Sequence, residues 1–158
     1  MQAISPFLWF DTQAEEAAEF YVSIFDNSRI QSVSRYPEGS PYPAGTAMVA
    51  SFVLDGVEFQ AINAGPQFTF SEAISFYVHA ETQEKIDYLW NSLISGGGAP
   101  SQCGWLKDKF GLSWQIVPPV LTEMLTDLDP EKAGRTMQAM MTMSKLDIAT
   151  LKAAHDGA

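Results

Sequence analysis

The chain repeats itself. Residues 3–13 read A-I-S-P-F-L-W-F-D-T-Q and residues 73–83 read A-I-S-F-Y-V-H-A-E-T-Q, so five of eleven positions are identical at a displacement of 70. Phe7/Tyr77, Leu8/Val78 and Asp11/Glu81 keep their character. A second match, Gly56-Val57-Glu58-Phe59-Gln60 against Gly111-Leu112-Ser113-Trp114-Gln115, is displaced by 55 and repeats the order Gly, aliphatic, polar, aromatic, Gln. A repeat constrains architecture more tightly than propensity, because both copies must fold alike. The displacement shrinks because the first copy carries more chain between its two anchors, including the loop Pro37 to Gly45 with three prolines and two glycines.

Each copy opens with a strand-like apolar run, then a polar break suited to capping a helix. The first helix is expected from about Thr12 to Phe25, burying Ala14, Ala17, Ala18, Phe20, Tyr21 and Ile24. The second is expected from about Gln83 to Ile94, burying Ile86, Leu89, Trp90 and Leu93 before Gly96-Gly97-Gly98 stops it. Strands follow at Arg29–Tyr36, Thr46–Leu54 and Val57–Asn63, the last two joined through an Asp55-Gly56 turn. Their counterparts are Ala99–Cys103, Trp105–Asp108 and Leu112–Val117. After Pro118-Pro119 the pattern turns helical: Val120–Leu125, a helix from Asp129 with Pro130 at its first position to about Ser144, and one over Asp147–Ala154. The expectation is an α+β fold of two βαβββ modules, 1–66 and 67–119, with C-terminal helices over 120–158, all one structural domain.

Nine Lys+Arg against 19 Asp+Glu leave a net charge of −10, which repels nucleic acid and acidic lipid. The single cysteine forms no intramolecular disulfide, and two histidines are too few for an ordinary Cys/His zinc cage. No apolar run approaches the ~20 residues of a membrane span, and the N-terminus lacks a secretory pattern, so a cytoplasmic protein is expected.

The paired modules, with Phe59-Gln60-Ala61-Ile62-Asn63-Ala64-Gly65-Pro66, Gly104-Trp105-Leu106-Lys107-Asp108-Lys109-Phe110-Gly111 and Trp114-Gln115-Ile116-Val117-Pro118, resemble the vicinal oxygen chelate superfamily. This is the glyoxalase, bleomycin resistance and dioxygenase group, and the likeness is to its PhnB-like branch, often labelled 3-demethylubiquinone-9 3-methyltransferase. The resemblance implies two modules facing one another across a shared cleft, a homodimer, and a divalent metal held by the first and last strands of both modules. The four ligand positions it implies are Ser5, Gln60, Ser75 and Gln115. None is His, Asp or Glu, and neutral oxygens bring no charge to offset dehydration of a divalent ion. No metal and no cofactor are expected, which weighs against the metal-dependent activities of the superfamily.

Strand alternation groups Ser5, Phe7 and Trp9, and likewise Ser75, Tyr77 and His79. Gln60 and Gln115 sit inside apolar strands, where an unpaired amide is costly; they meet either a ligand or the serines and backbone around them. Phe7, Trp9 and Tyr77 are placed to stack on a planar ligand, or simply to fill the site. His79 is the candidate general acid or base by residue type, against a partly exposed strand-end histidine without a relay. Cys103, near Lys107 and Lys109, reads either as an activated thiol or as an ordinary reduced cysteine. Met137, Met140, Met141 and Met143 suit a covered groove, a subunit contact or plain packing. No Gly-rich nucleotide fingerprint follows a strand. Two functions stay open: a binder of a small, partly aromatic molecule, and an enzyme, either the methyltransferase of the family label or a metal-independent lyase or isomerase acting through His79.

Overall fold

In the first module β1 (Phe7–Phe10), α1 (Ala14–Ile24), β2 (Arg29–Arg35), β3 (Ala47–Leu54) and β4 (Val57–Asn63) follow in order. They build a sheet ordered β1-β4-β3-β2, with β1 parallel to β4 and the other pairs antiparallel. Alternation turns Leu8 and Phe10 inward, with Phe59, Ala61 and Asn63 from β4. Ala14, Ala17, Ala18, Tyr21 and Ile24 form the buried stripe of α1, while Phe20 is only half-buried. The Asp55-Gly56 turn has positive φ at both residues, 47° and 79°, as the tightest hairpins require. The computed structural model describes residues 2–158, which divide into two units after Phe70.

The start of α1 differs from expectation. Gln13 occupies the cap without a side-chain hydrogen bond, and the helix begins at Ala14 rather than Thr12. Asn63 supplies the missing acceptor: its Oδ1 takes the Ala14 N–H at 2.8 Å, its Nδ2 donates to the Ala47 carbonyl at 3.1 Å, and its own carbonyl accepts from the Tyr36 hydroxyl. One buried amide thus ties the ends of β4 and β2 to the starts of α1 and β3.

The second unit repeats the plan with β5 (Ser75–His79), α2 (Gln83–Ile94), β6 (Ala99–Pro100), β7 (Trp105–Lys107) and β8 (Ser113–Val117), ordered β5-β8-β7-β6. Phe7 pairs with Gln60 and Tyr77 with Gln115, so the two sequence displacements meet at the same rung of each sheet. Helix α2 has the expected bounds and buried stripe, and Thr82 caps it through the Lys85 N–H at 3.1 Å. β6 ends at Pro100, short of Cys103, because Cys103 and Gly104 turn the chain with φ of 57° and 86°. Asp108 lies outside β7 and is buried: its carboxylate accepts from the Phe110 and Leu112 N–H groups and from Trp114 Nε1 at 2.9–3.0 Å, which holds the β7–β8 turn closed.

The C-terminal helices are α3 (Pro119–Leu125), α4 (Pro130–Met141) and α5 (Ile148–Asp156). Asp129 caps α4 and Pro130 opens it, as the sequence predicts. The helix stops at Met141 instead of Ser144 because the next residues dock on the hairpin: the Met143 and Ser144 carbonyls accept from the Cys103 and Gly104 N–H groups, both at 2.8 Å. Leu146 then fills the space beside Gly104, where a Cβ would lie 3.0 Å from its Cδ1. Gln83 grips the following backbone, donating to the Leu146 carbonyl at 3.0 Å and accepting from the Ile148 N–H at 2.8 Å. Val117, Leu121, Met124, Leu146 and Leu151 make the core of this extension. Met140 and Met143 pack against it, whereas Met137 and Met141 stay exposed, so the methionines do not form one face.

The far end of α5 is fastened by His155, whose ring bonds Asp127 at 2.9 Å and Asp156 at 3.2 Å. Arg135 also donates to the Ala154 and His155 carbonyls. The hydrogen bond to Asp127, with a smaller one to Asp156, holds the His155 pKa above its ordinary value. The Asp129 N–H, with His155, holds Asp127 below its own. Glu123 and Lys152 line the adjoining hollow of about 380 Å3. Among the described residues no helix is long and apolar enough to cross a membrane.

Two outcomes follow for the extension. Gln83→Ala removes both grips on the 146–148 backbone and is expected to lower stability by about 1–2 kcal/mol, with hydrogen exchange at the Ile148 amide accelerating before that of α2. A raised His155 pKa contributes stability that is complete below the unfolded value and lost as pH rises through the folded one; the depressed Asp127 value contributes stability lost only as pH falls through the acid range. Protection of α5 amides, corrected for intrinsic exchange, should therefore fall as pH climbs past the raised His155 value, and His155→Leu should flatten that dependence.

Candidate ligand-binding faces

The solvent-side face of β1 and β4 carries Phe7, Trp9, Gln60 and Ile62, with Ser5 just before β1. Phe7 is exposed and stands beside Gln60 in register, and Ser5, Trp9 and Gln60 are half-buried. The Trp9 indole N–H donates to the Gly65 carbonyl at 2.9 Å, and its ring meets Phe68 edge-on at 4.9 Å. The aromatic surface of Trp9 is held in place while its polar atom is already committed. The Gln60 amide makes no hydrogen bond with another described residue, so both its donors and its acceptor are available.

The equivalent face of the second unit carries Ser75, Tyr77, His79 and Gln115, with Trp105 opposite Gln115. Gln115 Nε2 donates to Ser75 Oγ at 2.9 Å, so this amide meets the serine of its own module. Tyr77 is exposed, and its ring stands 5.0 Å from that of His79. His79 is exposed and makes no hydrogen bond with another described residue, leaving it without the relay a general base uses. Cys103 is half-buried and serves the turn, its N–H bonded to the Met143 carbonyl. The structure thus brings Phe7 beside Gln60, and Ser75, Tyr77 and Gln115 together, each set on one sheet.

A divalent metal does not fit the donors the fold implies. Ser5, Gln60, Ser75 and Gln115 are all neutral, and Gln115 and Ser75 spend polar atoms on each other. Among the described residues no group of three or more His, Cys, Asp or Glu side chains could hold a metal ion.

Three residues on or near these sheets have roles that the quoted sequence segments do not reveal. Ser113 shares the alternation of Gln115, and its Oγ is buried without a hydrogen-bond partner. Asn63 and Asp108 are buried polar hubs, Asn63 bonding the Ala14 and Ala47 backbone and Asp108 the Phe110 and Leu112 N–H groups and Trp114 Nε1. Near Asn63 lies a hollow of about 380 Å3 between the start of α1, the end of β2 and the loop over residues 37–45. Tyr36 and Tyr42 wall it, with ring centroids 4.5 Å apart. Burial, with Tyr42 beside it, raises the Tyr36 phenol, which stays a protonated donor to the Asn63 carbonyl.

The family described as 3-demethylubiquinone-9 3-methyltransferase matches residues 2–117, ending on the last residue of β8. The PhnB protein of Bacillus cereus is 43% identical, with 74% of this chain covering 99% of that one at a TM-score of 0.69. Protein PA1353 of Pseudomonas aeruginosa (20% identity; 73% of this chain, 96% of that one; TM-score 0.61) shares the fold. So does the fosfomycin resistance protein FosX of Mesorhizobium loti (13% identity; 80% and 100%; TM-score 0.54). Among the curated proteins none matches this sequence. The matched repeat, the shared order of strands in both sheets and the Bacillus relative together show that this chain belongs to the PhnB-like 3-demethylubiquinone-9 3-methyltransferase family, with the vicinal oxygen chelate fold.

Proposed function

We propose that the protein binds a small, partly aromatic molecule without a metal ion, using Phe7, Trp9 and Gln60 with Ser5 on one face and Ser75, Tyr77 and Gln115 on the other. The observation that carries this reading is that Ser5, Gln60, Ser75 and Gln115, the positions where the family resemblance implies metal ligands, are all amides or hydroxyls. Such groups recognise polar atoms of a ligand by hydrogen bonding but do not polarise them as a Lewis acid does. Trp9, braced by Gly65 and Phe68, offers a rigid ring for stacking. Gln60 supports the reading further, since a half-buried amide without a partner among the described residues gains most from a ligand that pairs it. The protein acts as a cytoplasmic homodimer in this proposal, and nucleic acid and membrane are not its partners.

The second reading is an enzyme. The family name favours methyl transfer, and His79 is the residue to which a metal-independent lyase or isomerase step would fall. Its exposure and lack of a hydrogen-bonded relay weigh against that role.

Gln60→Ala and Gln115→Ala separate the two readings. The probe is a panel of small phenols and hydroquinones followed by tryptophan fluorescence, with methyl transfer from S-adenosylmethionine to 3-demethylubiquinone assayed in parallel. Binding predicts that each substitution weakens the best probe by about tenfold while no turnover appears in the parent; methyl transfer by the parent, lost in the variants, would establish the enzyme instead. Elemental analysis of the purified protein is expected to find zinc, nickel and iron well below one per chain, and a stoichiometric ion would contradict the metal-free site.

A further inference from the structure

The hollow beside Asn63 differs in chemistry from the ligand faces. Its volume of about 380 Å3 is of small-molecule size. The polar groups at its base are already satisfied: the Tyr36 hydroxyl is bonded to the Asn63 carbonyl, and the Asn63 amide to Ala14 and Ala47. The Arg35 guanidinium is occupied by both Glu15 oxygens, at 3.0 and 3.3 Å, and by the Gly45 carbonyl. What remains for a ligand is the Asp11 carboxylate, the Thr12 hydroxyl and the Tyr42 phenol. All three line the hollow, and none of these side chains is hydrogen-bonded to another described residue.

At the displacement of 55, Asn63 corresponds to Pro118, which is fully buried, and Leu146 of the C-terminal segment packs beside Gly104. The hollow belongs to the copy whose strand ends carry the loop over residues 37–45. We propose that it binds a small aromatic amine in its ammonium form, the ring against Tyr42 and the charged nitrogen at Asp11, with Thr12 as a further acceptor. With Arg35 neutralised by Glu15, Asp11 leaves the hollow net negative, and the chain's charge of −10 draws an organic cation and repels an anion. Paired tyrosine faces add attraction for a cation that a neutral or acidic ligand lacks.

The test uses tyramine and, as its acidic counterpart, 3-(4-hydroxyphenyl)propionate, each titrated into the full chain by calorimetry and by NMR with tyrosine and tryptophan rings assigned. Tyramine should bind and shift the Tyr36 and Tyr42 signals, and the acid should not. Asp11→Asn and Tyr42→Ala should each weaken tyramine by about fivefold. Asp11 is exposed and its carboxylate is unbonded, so the first variant decides the matter even if the second disturbs the loop. The proposal is overturned if the acid binds as tightly, if Asp11→Asn binds tyramine like the parent, or if no binding appears up to about 10 mM. Shifts confined to Trp9 or Tyr77 would also overturn it, by placing the amine on the ligand faces; absence of binding here leaves those faces unaffected.

Discussion

Parallel pairing between the first and last strand of each module is the constraint on which the rest depends. A parallel pair cannot be closed by a tight turn, so the chain between β1 and β4, and between β5 and β8, must cross over through a helix and further strands. That crossover supplies α1 and α2, whose apolar stripes cover one face of each sheet. It leaves the opposite face free to carry Phe7 with Gln60 and Tyr77 with Gln115. These candidate residues are neighbours because the two ends of a module meet, although they are far apart in sequence.

The same constraint creates a problem at the strand ends, and the two modules solve it differently. In the first, β3 runs past Ser51 to Ala47 and keeps β2 as its partner, with the loop over residues 37–45 folded above. In the second, β7 begins at Trp105, the rung that corresponds to Ser51. The backbone donors of Cys103 and Gly104 would then lack acceptors, a cost of about 1–3 kcal/mol for each buried group. Met143 and Ser144 provide the acceptors from the C-terminal segment. The segment that leads into α5 therefore completes a hairpin that the second copy leaves short, and Gln83 grips the same segment. These acceptors lie beyond residues 2–117, which match the family.

The repeat made most of this architecture legible. Matching Ala3–Gln13 with Ala73–Gln83 locates both parallel openings, and matching the Gly-to-Gln pentads locates both closings, because residues that pair in register are copied together. Helix α2 is legible to its ends, since Thr82 caps it locally and a glycine run stops it. Helix α1 is not, because its cap comes from Asn63, 49 positions beyond Ala14. The stop of α4 at Met141 and the shortness of β6 are hidden for the same reason: each is decided by a contact between residues about 40 apart. On the candidate faces, alternation shows which side chains share a side. It does not show that Trp9 spends its N–H on Gly65, that Gln115 meets Ser75, or that His79 stands without a relay. Such facts depend on rotamers and loops rather than on period.

The contrast between Gln60 and Gln115 bears on how a duplicated scaffold changes its chemistry. Both occupy the same place in the module, yet one amide is closed by a serine and the other has no hydrogen-bond partner among the described residues. The serine needed for closure is present in both copies, as Ser5 and Ser75, but Ser75 begins β5 whereas Ser5 lies outside β1. Pro6 follows Ser5 and offers no N–H to a sheet, while Phe76 continues the strand. A single proline thus shortens the first strand and takes Ser5 out of the ladder that holds Ser75. The two halves retain the same order of strands but present unequal hydrogen-bonding capacity at the same rung.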